Sequence, residues 1–211
     1  SIKTKPWNFP PHLRKVRGNP TQVGWGGVEK EMGVSYNKHM ARSMVLGNGN
    51  TMVCLDKFGQ VRDFYFPYVG QENHIGSNQM HKIGVFVDDR MRWIDNGEWN
   101  IDIGFEKNTM VSRMTALNDK ARISMQTSDV VYNEKNIFLR KIVLTNNDSR
   151  TRNVKIFLNQ QFKIGDTNHA DTAYFSSSIE SIIHYKGRRV FLVGGMCENK
   201  PFDEYSIGFC G

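Results

Sequence analysis

The residues best suited to chemistry lie in one short stretch, from Asp63 to His74. Its first half is aromatic and contains Pro67, which prevents a regular central strand from continuing through it. Its second half is polar. Proteins hold sugars with aromatic faces and nearby polar groups, because a sugar ring has an apolar C–H face and a rim of hydroxyls. The candidate binding residues are Tyr65, Phe66, Pro67, Tyr68, Gln71, Glu72, Asn73 and His74. Alternatively, the aromatic residues fill the core and the polar residues cap a loop.

Catalysis would need specific pairs within or near this stretch. Asp63 and Glu72 are the pair to consider for glycoside hydrolysis, which requires a proton donor and a base or nucleophile across a cleft. Their spacing in the chain fixes no distance in space. A metal site of Glu72, His74 and His81 lacks a recognised ligand spacing, and Ser176 to Ser178 lack a nucleophile elbow. We therefore expect no catalytic residue, no metal and no cofactor in this chain.

The composition is that of an ordinary soluble globular protein, with 39% hydrophobic and 23% charged residues. No apolar run approaches the roughly 18 residues of a transmembrane helix, and the first residues lack the apolar core of a secretory signal. Cys54, Cys197 and Cys210 form neither a disulfide framework nor a metal motif, which favours a reducing compartment. These features predict a cytoplasmic protein with no membrane partner.

The net charge of +7 is unevenly distributed. Residues 1–39 carry seven Lys or Arg and two Glu, whereas residues 40–211 carry 21 basic and 19 acidic residues. The basic residues of the first segment are scattered, so we expect no nucleic-acid partner. Prolines and glycines interrupt residues 1–39 without any period. We predict an irregular basic leader or arm there, either native or placed upstream of a start at Met40.

From residue 40 onward the pattern predicts strands throughout. The Gly47–Asn50 segment is typical of a hairpin turn, and a strand over residues 61–66 leads into the aromatic stretch. Further strands are predicted over residues 44–46, 51–55, 81–87, 91–94, 111–117, 122–129, 137–144, 154–162, 172–177, 181–185 and 189–193. Turn residues recur at roughly 8–15-residue intervals, as in sandwiches and barrels. We therefore predict an all-β antiparallel fold.

Three runs, Leu46–Asn50, Leu55–His74 and His81–Val85, resemble the start of prokaryotic glucoamylases of glycoside hydrolase family 15. The resemblance covers residues 40–211 but not residues 1–39. It implies an antiparallel β-supersandwich of the galactose-mutarotase-like type, followed in the family by an (α/α)6 barrel that carries both catalytic glutamates and inverts the anomeric centre. This chain contains no such barrel. The resemblance therefore implies an N-terminal β-sandwich domain over residues 40–211, incomplete at its C-terminus.

The resemblance also implies a role without catalysis. The domain would belong to an enzyme acting on α-glucans, and the Tyr65–His74 loop would contribute to the domain interface or to the rim of the sugar pocket. Two alternatives remain open: a free-standing carbohydrate-binding sandwich, and a mutarotase-like epimerase with His74, His81 and Glu72 as general acid and base. A sandwich cut short leaves unpaired strand edges, so we expect the isolated chain to aggregate, dimerise or be poorly stable.

Overall fold

A computed structural model describes residues 41–76, 79–167 and 169–208. The predicted leader over residues 1–39 lies outside the described residues. Within them, the secondary structure consists of a short 3-10 helix, Ile164–Asp166, and fifteen strands. The strands are β1 Met44–Gly47, β2 Met52–Leu55, β3 Val61–Tyr65, β4 Lys82–Val87, β5 Arg90–Trp93, β6 Asn100–Phe105, β7 Ser112–Asn118, β8 Ile123–Val131, β9 Phe138–Asn146, β10 Lys155–Asn159, β11 Thr172–Ser176, β12 Ser181–Lys186, β13 Arg189–Val193, β14 Met196–Cys197 and β15 Lys200–Pro201.

The first three strands form an antiparallel meander that leads into the aromatic stretch. Asn48 closes the first turn, because its side-chain carbonyl accepts hydrogen bonds from the backbone N–H of Asn50 and Thr51 at 3.1 and 2.9 Å. The third strand ends at Tyr65. The prediction that it extends to Phe66 is wrong by one residue, because the Phe66 N–H bonds to the loop instead of to a strand.

Two sheets face each other around the main core, one in the order β10-β4-β5 and the other in the order β6-β7-β8-β9. One face of each sheet is apolar, so the two faces pack together as a two-layer sandwich. The core consists of Ile83, Val85, Val87, Ile94, Trp99, Met114, Ala116, Ala121, Ile123 and Met125. Trp99 therefore belongs to the core and is 9% exposed.

A second core joins the β1-β2-β3 sheet to the end of β8. Its buried members are Met44, Leu46, Val53, Leu55, Val61, Ile75 and Val131. Ile75 directly follows His74, and it is fully buried. The C-terminal end of the aromatic stretch is therefore anchored in this second core.

A third sheet, in the order β11-β12-β13, has two unlike faces. Phe191 is 8% exposed on its inner face, whereas the neighbouring Val190 and Leu192 point the other way and are 56% and 59% exposed. The strand register aligns the outer residues in two cross-strand rows, Tyr174, Ile183 and Leu192 in one and Tyr185 and Val190 in the next. We refer to these five residues as the outer face.

The predicted all-β antiparallel class is confirmed, and each predicted strand has a counterpart with shifted ends. The sixth strand, Asn100–Phe105, was not predicted. Its polar residues and Gly104 obscure the alternation, and only Ile101 and Ile103 pack against the core. Asp88 and Asp89 form the turn between β4 and β5, with φ angles of 51° and 56°. The described part of the chain has no helix long and apolar enough to cross a membrane.

Candidate functional site

The aromatic stretch folds back on itself immediately after β3. The Phe66–Pro67 peptide bond is cis. The backbone carbonyl of Tyr68 accepts hydrogen bonds from the N–H groups of Gln71 and Glu72, each at 3.1 Å, and the Phe66 N–H donates to the Glu72 carbonyl at 3.2 Å. The result is a compact loop whose two ends lie side by side. We refer to residues 65–74 as the aromatic loop.

Asn73 ties the returning end of the loop to β3. Its side-chain carbonyl accepts hydrogen bonds from the backbone N–H groups of Phe64 and Ile75, both at 3.1 Å. Its amide nitrogen donates to a carboxylate oxygen of Asp63 at 2.8 Å. Both polar atoms of this side chain are thus engaged within the protein.

Asp63 is held by a second partner, Arg42. The guanidinium donates to both carboxylate oxygens, one of them at 3.0 Å through Nη2. Burial on its own would raise the pKa of Asp63, but the hydrogen bonds from Arg42 and Asn73 outweigh it and hold that pKa below its ordinary value. The ionised form of Asp63 is therefore favoured, and this carboxylate has a structural role.

His74 is fully buried at the end of the loop. Its Nε2 lies 2.5 Å from the carbonyl oxygen of Phe66, and its Nδ1 accepts a hydrogen bond from the backbone N–H of Gly165 at 3.2 Å. Burial lowers the pKa of the ring, partly offset by the Phe66 carbonyl. Both ring nitrogens are committed to the backbone, so neither faces a ligand.

Phe191 of β13 is the centre of an aromatic cluster beneath the loop. Its ring centroid lies 5.6 Å from that of Phe64, 6.2 Å from Phe66 and 4.7 Å from His74. Phe162 stacks on its other side at 5.0 Å. Aromatic pairs at such distances contribute beyond their buried area, so this cluster joins the loop to the inner face of the third sheet.

Glu72 and Arg189 form the polar counterpart of that contact. The two groups make a bidentate pair, with N–O distances of 2.7 and 2.8 Å. The Arg189 hydrogen bonds hold the pKa of Glu72 below its ordinary value. Glu72 is therefore ionised and already paired, and it connects the loop to the first residue of β13.

The tip of the loop is the part that faces outward. Tyr68 is 57% exposed and Val69 is 39% exposed, and Gln71 is exposed beside them. Tyr65, Phe66 and Pro67 are half-buried. A phenol, an amide and an apolar side chain on a rigid loop suit a contact with a sugar or with another protein surface.

The candidate acid–base groups do not form catalytic sets. Asp63 and Glu72 are each neutralised by an arginine, so neither has the raised pKa that a proton donor needs. His81 is buried against Phe162, and burial lowers its pKa to about 3. The described residues contain no cluster of three or more His, Cys, Asp or Glu side chains that could hold a metal ion. This geometry counts against the mutarotase-like alternative.

The remaining candidates have structural roles or partners of their own. Ser176 and Ser178 lie 3.1 Å apart through their hydroxyls on the surface. A groove of about 390 Å³ is lined partly by Asp88, Arg150 and Arg152. Its arginines are already engaged, since Arg152 donates to Asp88 at 2.9 Å and Arg150 to Asp148 at 3.1 Å. No residue of the aromatic loop lines this groove.

Four residues important to the loop were missed from the sequence: Arg42, Phe162, Arg189 and Phe191. Arg189 lies 117 residues from its partner Glu72, and a single sequence contains no signal for such a pairing. A weak signal existed for Phe191, because it is the central residue of a predicted strand. The sequence located the loop but not the groups that hold it.

The fold can be compared with solved structures. It is similar to that of a bacterial glucoamylase in complex with acarbose, with a TM-score of 0.59 and 10% sequence identity. The similarity covers 72% of this chain and 24% of that enzyme. The chain therefore has a glucoamylase-related fold, built from antiparallel β-sheets. Acarbose is a ligand of the glucoamylase.

The chain is also similar in sequence to a glycosyl hydrolase. The chain is 22% identical over 164 residues to an uncharacterized glycosyl hydrolase of Methanocaldococcus jannaschii. That alignment covers 78% of this chain and 25% of the relative. No protein-family model matches the chain. The chain thus spans about a quarter of the length of this relative and of the glucoamylase.

Proposed function

We propose that this chain is the N-terminal, non-catalytic β-domain of a glucoamylase-like enzyme of glycoside hydrolase family 15 that acts on α-glucans. The observation that carries the proposal is the likeness to a glucoamylase over 72% of the chain. The sequence similarity to a glycosyl hydrolase supports it independently. In this proposal the catalytic carboxylates belong to an (α/α)6 barrel, and the β-domain packs beside it.

The arrangement of charged groups supports a role without catalysis. A glycosidase needs one carboxyl group with a raised pKa and a second carboxylate across a cleft. Here Asp63 and Glu72 both have lowered pKa values, because each accepts hydrogen bonds from an arginine. Two carboxylates that are paired with arginines and have lowered pKa values hold a loop in shape, but they are poorly suited to protonate a glycosidic oxygen.

Two exposed surfaces support packing against a further domain. The loop tip presents Tyr68 and Val69, and the outer face presents five aromatic or aliphatic residues in two aligned rows. Contiguous apolar patches on a surface mark sites of interaction. The aromatic loop and the third sheet are fastened together through Phe191, so the two surfaces belong to one connected unit.

The coding sequence around this chain tests the proposal. We expect the same gene, or a gene next to it, to encode a helical polypeptide about three times as long with two acidic motifs. We also expect that polypeptide to bind the purified 211-residue chain, and the Tyr68→Ala variant to bind more weakly. Ser177→Ala, an exposed serine on the β11–β12 turn, is a matched control. Genomic neighbours without any glycoside hydrolase would contradict the proposal.

A free-standing carbohydrate-binding sandwich is the second candidate, because Tyr68 and Tyr174 are 57% and 46% exposed. Titration calorimetry with maltoheptaose distinguishes the two candidates. If the chain is a binding module, maltoheptaose binding releases heat, and this heat is lost in Tyr68→Ala or Tyr174→Ala. The proposed domain predicts no heat from the chain alone, since its sugar contacts depend on the barrel.

A further inference from the structure

The hydrogen bonds of His74 fix its protonation state. A carbonyl oxygen can only accept, so the contact of Nε2 with the Phe66 oxygen requires a proton on Nε2. A backbone N–H can only donate, so the contact from Gly165 requires a free lone pair on Nδ1. The ring is thus held as the neutral Nε2–H tautomer, with one nitrogen donating and the other accepting.

This ring connects two segments that are far apart in sequence. On one side is the aromatic loop, through the Phe66 carbonyl. On the other is the segment Lys163–Gly165, whose Gly165 N–H reaches the ring and whose Lys163 N–H donates to the His74 carbonyl at 2.8 Å. The link across the ring depends on the lone pair of Nδ1.

The two acidic side chains near the ring are each paired with a basic side chain. Glu72 on the same loop is paired with Arg189 of β13. Asp171, which precedes β11, lies 3.5 Å from Lys186 of β12. The ring itself is fully buried and packs against Phe191 at 4.7 Å. A proton added at Nδ1 would direct an N–H at the Gly165 N–H and place a charge in an apolar environment.

We propose that His74 is a proton-operated latch, which joins the aromatic loop to the Lys163–Gly165 segment when neutral and releases it when protonated. The latch is closed at neutral pH and opens as the medium becomes acidic. It concerns the local structure around the loop and does not depend on the proposed glucan-related function. Release frees both the Phe66 end of the loop and the segment that leads into β11.

Hydrogen exchange of the Gly165 amide measures this latch directly in the full chain. The released ring has an ordinary pKa near 6.5, so the open form gains about tenfold for each pH unit below it. We expect the protection factor of Gly165, corrected for intrinsic exchange, to fall by up to about thirtyfold between pH 7 and pH 5. The amide of Ile123, in the sandwich core, should keep its protection.

The variant His74→Gln is the matched test, because its amide can donate to Phe66 and accept from Gly165 without titrating. We expect its Gly165 protection factor to be independent of pH over the same range. Phe191→Leu is the control for opening without a proton, since Phe191 packs against the ring at 4.7 Å and carries no charge. It should lower protection equally at pH 7 and pH 5 relative to wild type.

Two results would overturn the latch. One is an equal loss of Gly165 protection in His74→Gln and in wild type. The other is measured on the wild-type chain, by nitrogen NMR of the His74 ring. It therefore tests the latch even if His74→Gln does not fold. A ring that becomes protonated while the Gly165 amide signal stays fixed, or that stays neutral until the whole chain unfolds, excludes a latch.

Discussion

At the scale of single residues, the polar side chains that were candidates for binding or catalysis hold the aromatic loop together. Asp63 and Glu72 are bound by Arg42 and Arg189, and Asn73 is bound to β3 on both of its polar atoms. The sequence located these residues in one stretch, since their types and positions are visible there. Their roles depend on distant partners, and no periodic pattern encodes such partners.

Buried histidines make the stability of the fold depend on pH. Burial lowers the pKa of His81 to about 3, below its unfolded value near 6.5. Between those two pH values, His81 therefore binds a proton in the unfolded state but not in the folded state. The contribution of the neutral His81 to the free energy of unfolding is therefore complete above about pH 6.5. It falls as the pH decreases, at about 1.4 kcal/mol per pH unit for one such group.

We expect urea unfolding of His81→Asn to show a pH slope between pH 6 and pH 4.5 that is smaller than wild type by about one proton. The slope isolates the titration from any constant loss of packing. Ser177→Ala, a change at an exposed side chain without a titratable group, should leave the slope unchanged. An unaltered slope in His81→Asn would show that this ring is not kept neutral by the fold.

At the scale of elements, the strands were predictable where apolar and polar residues alternate or where turn residues bracket an apolar run. The β1–β3 meander and the β4–β5 hairpin illustrate this. The sixth strand was missed because Asp102 and Gly104 interrupt its pattern, and its place in the sheet is decided by pairing with β7. The contact between the aromatic loop and β13 is tertiary, so strand patterns do not reveal it.

Because Phe191 lies at the centre of the aromatic cluster, we predict that replacing it lowers the free energy of unfolding strongly. Replacing a buried Phe by Ala typically lowers the free energy of unfolding by about 3–5 kcal/mol. We expect Phe191→Ala to fall in this range in urea unfolding and to weaken exchange protection in the aromatic loop. Leu192→Ala, one residue away on the outer face, should change stability by less than about 0.5 kcal/mol. Equal effects from both would contradict the assignment of the two faces.

The exposed apolar residues of β10 lead us to predict self-association. Its Ile156 and Leu158 pair with the core residues Val85 and Ile83, so they lie on the core side of the sheet, yet they are 42% and 48% exposed. In the described part of the chain, β10 is also the end strand of its sheet. Exposed apolar edges favour edge-to-edge pairing.

Light scattering coupled to size exclusion should therefore show oligomers of the wild-type chain at micromolar concentration. The double variant Ile156→Thr with Leu158→Thr should shift the distribution toward monomer. Leu117→Thr, on the outward side of the central strand β7 and 38% exposed, is the control and should leave the distribution unchanged. A wild-type chain that is monomeric at all concentrations would contradict the prediction.

At the scale of the whole molecule, the all-β class was predicted from turn spacing and is confirmed. The fold is similar to part of a bacterial glucoamylase. The chain spans about a quarter of that enzyme and of the archaeal relative. In our proposal, the β-domain contributes a rigid loop and an apolar face, while the reacting groups lie in the barrel. The paired state of Asp63 and Glu72 is the structural basis for assigning it no catalytic step.

The most direct measurement of this central claim is glucose release from maltoheptaose by the purified 211-residue chain. A bacterial glucoamylase, assayed alongside, establishes the sensitivity. We predict no glucose above background, because both carboxylates are paired with arginines that lower their pKa values. Glucose release that is abolished by Glu72→Gln or Asp63→Asn, in variants that remain folded, would show that these residues are catalytic and that the account is wrong.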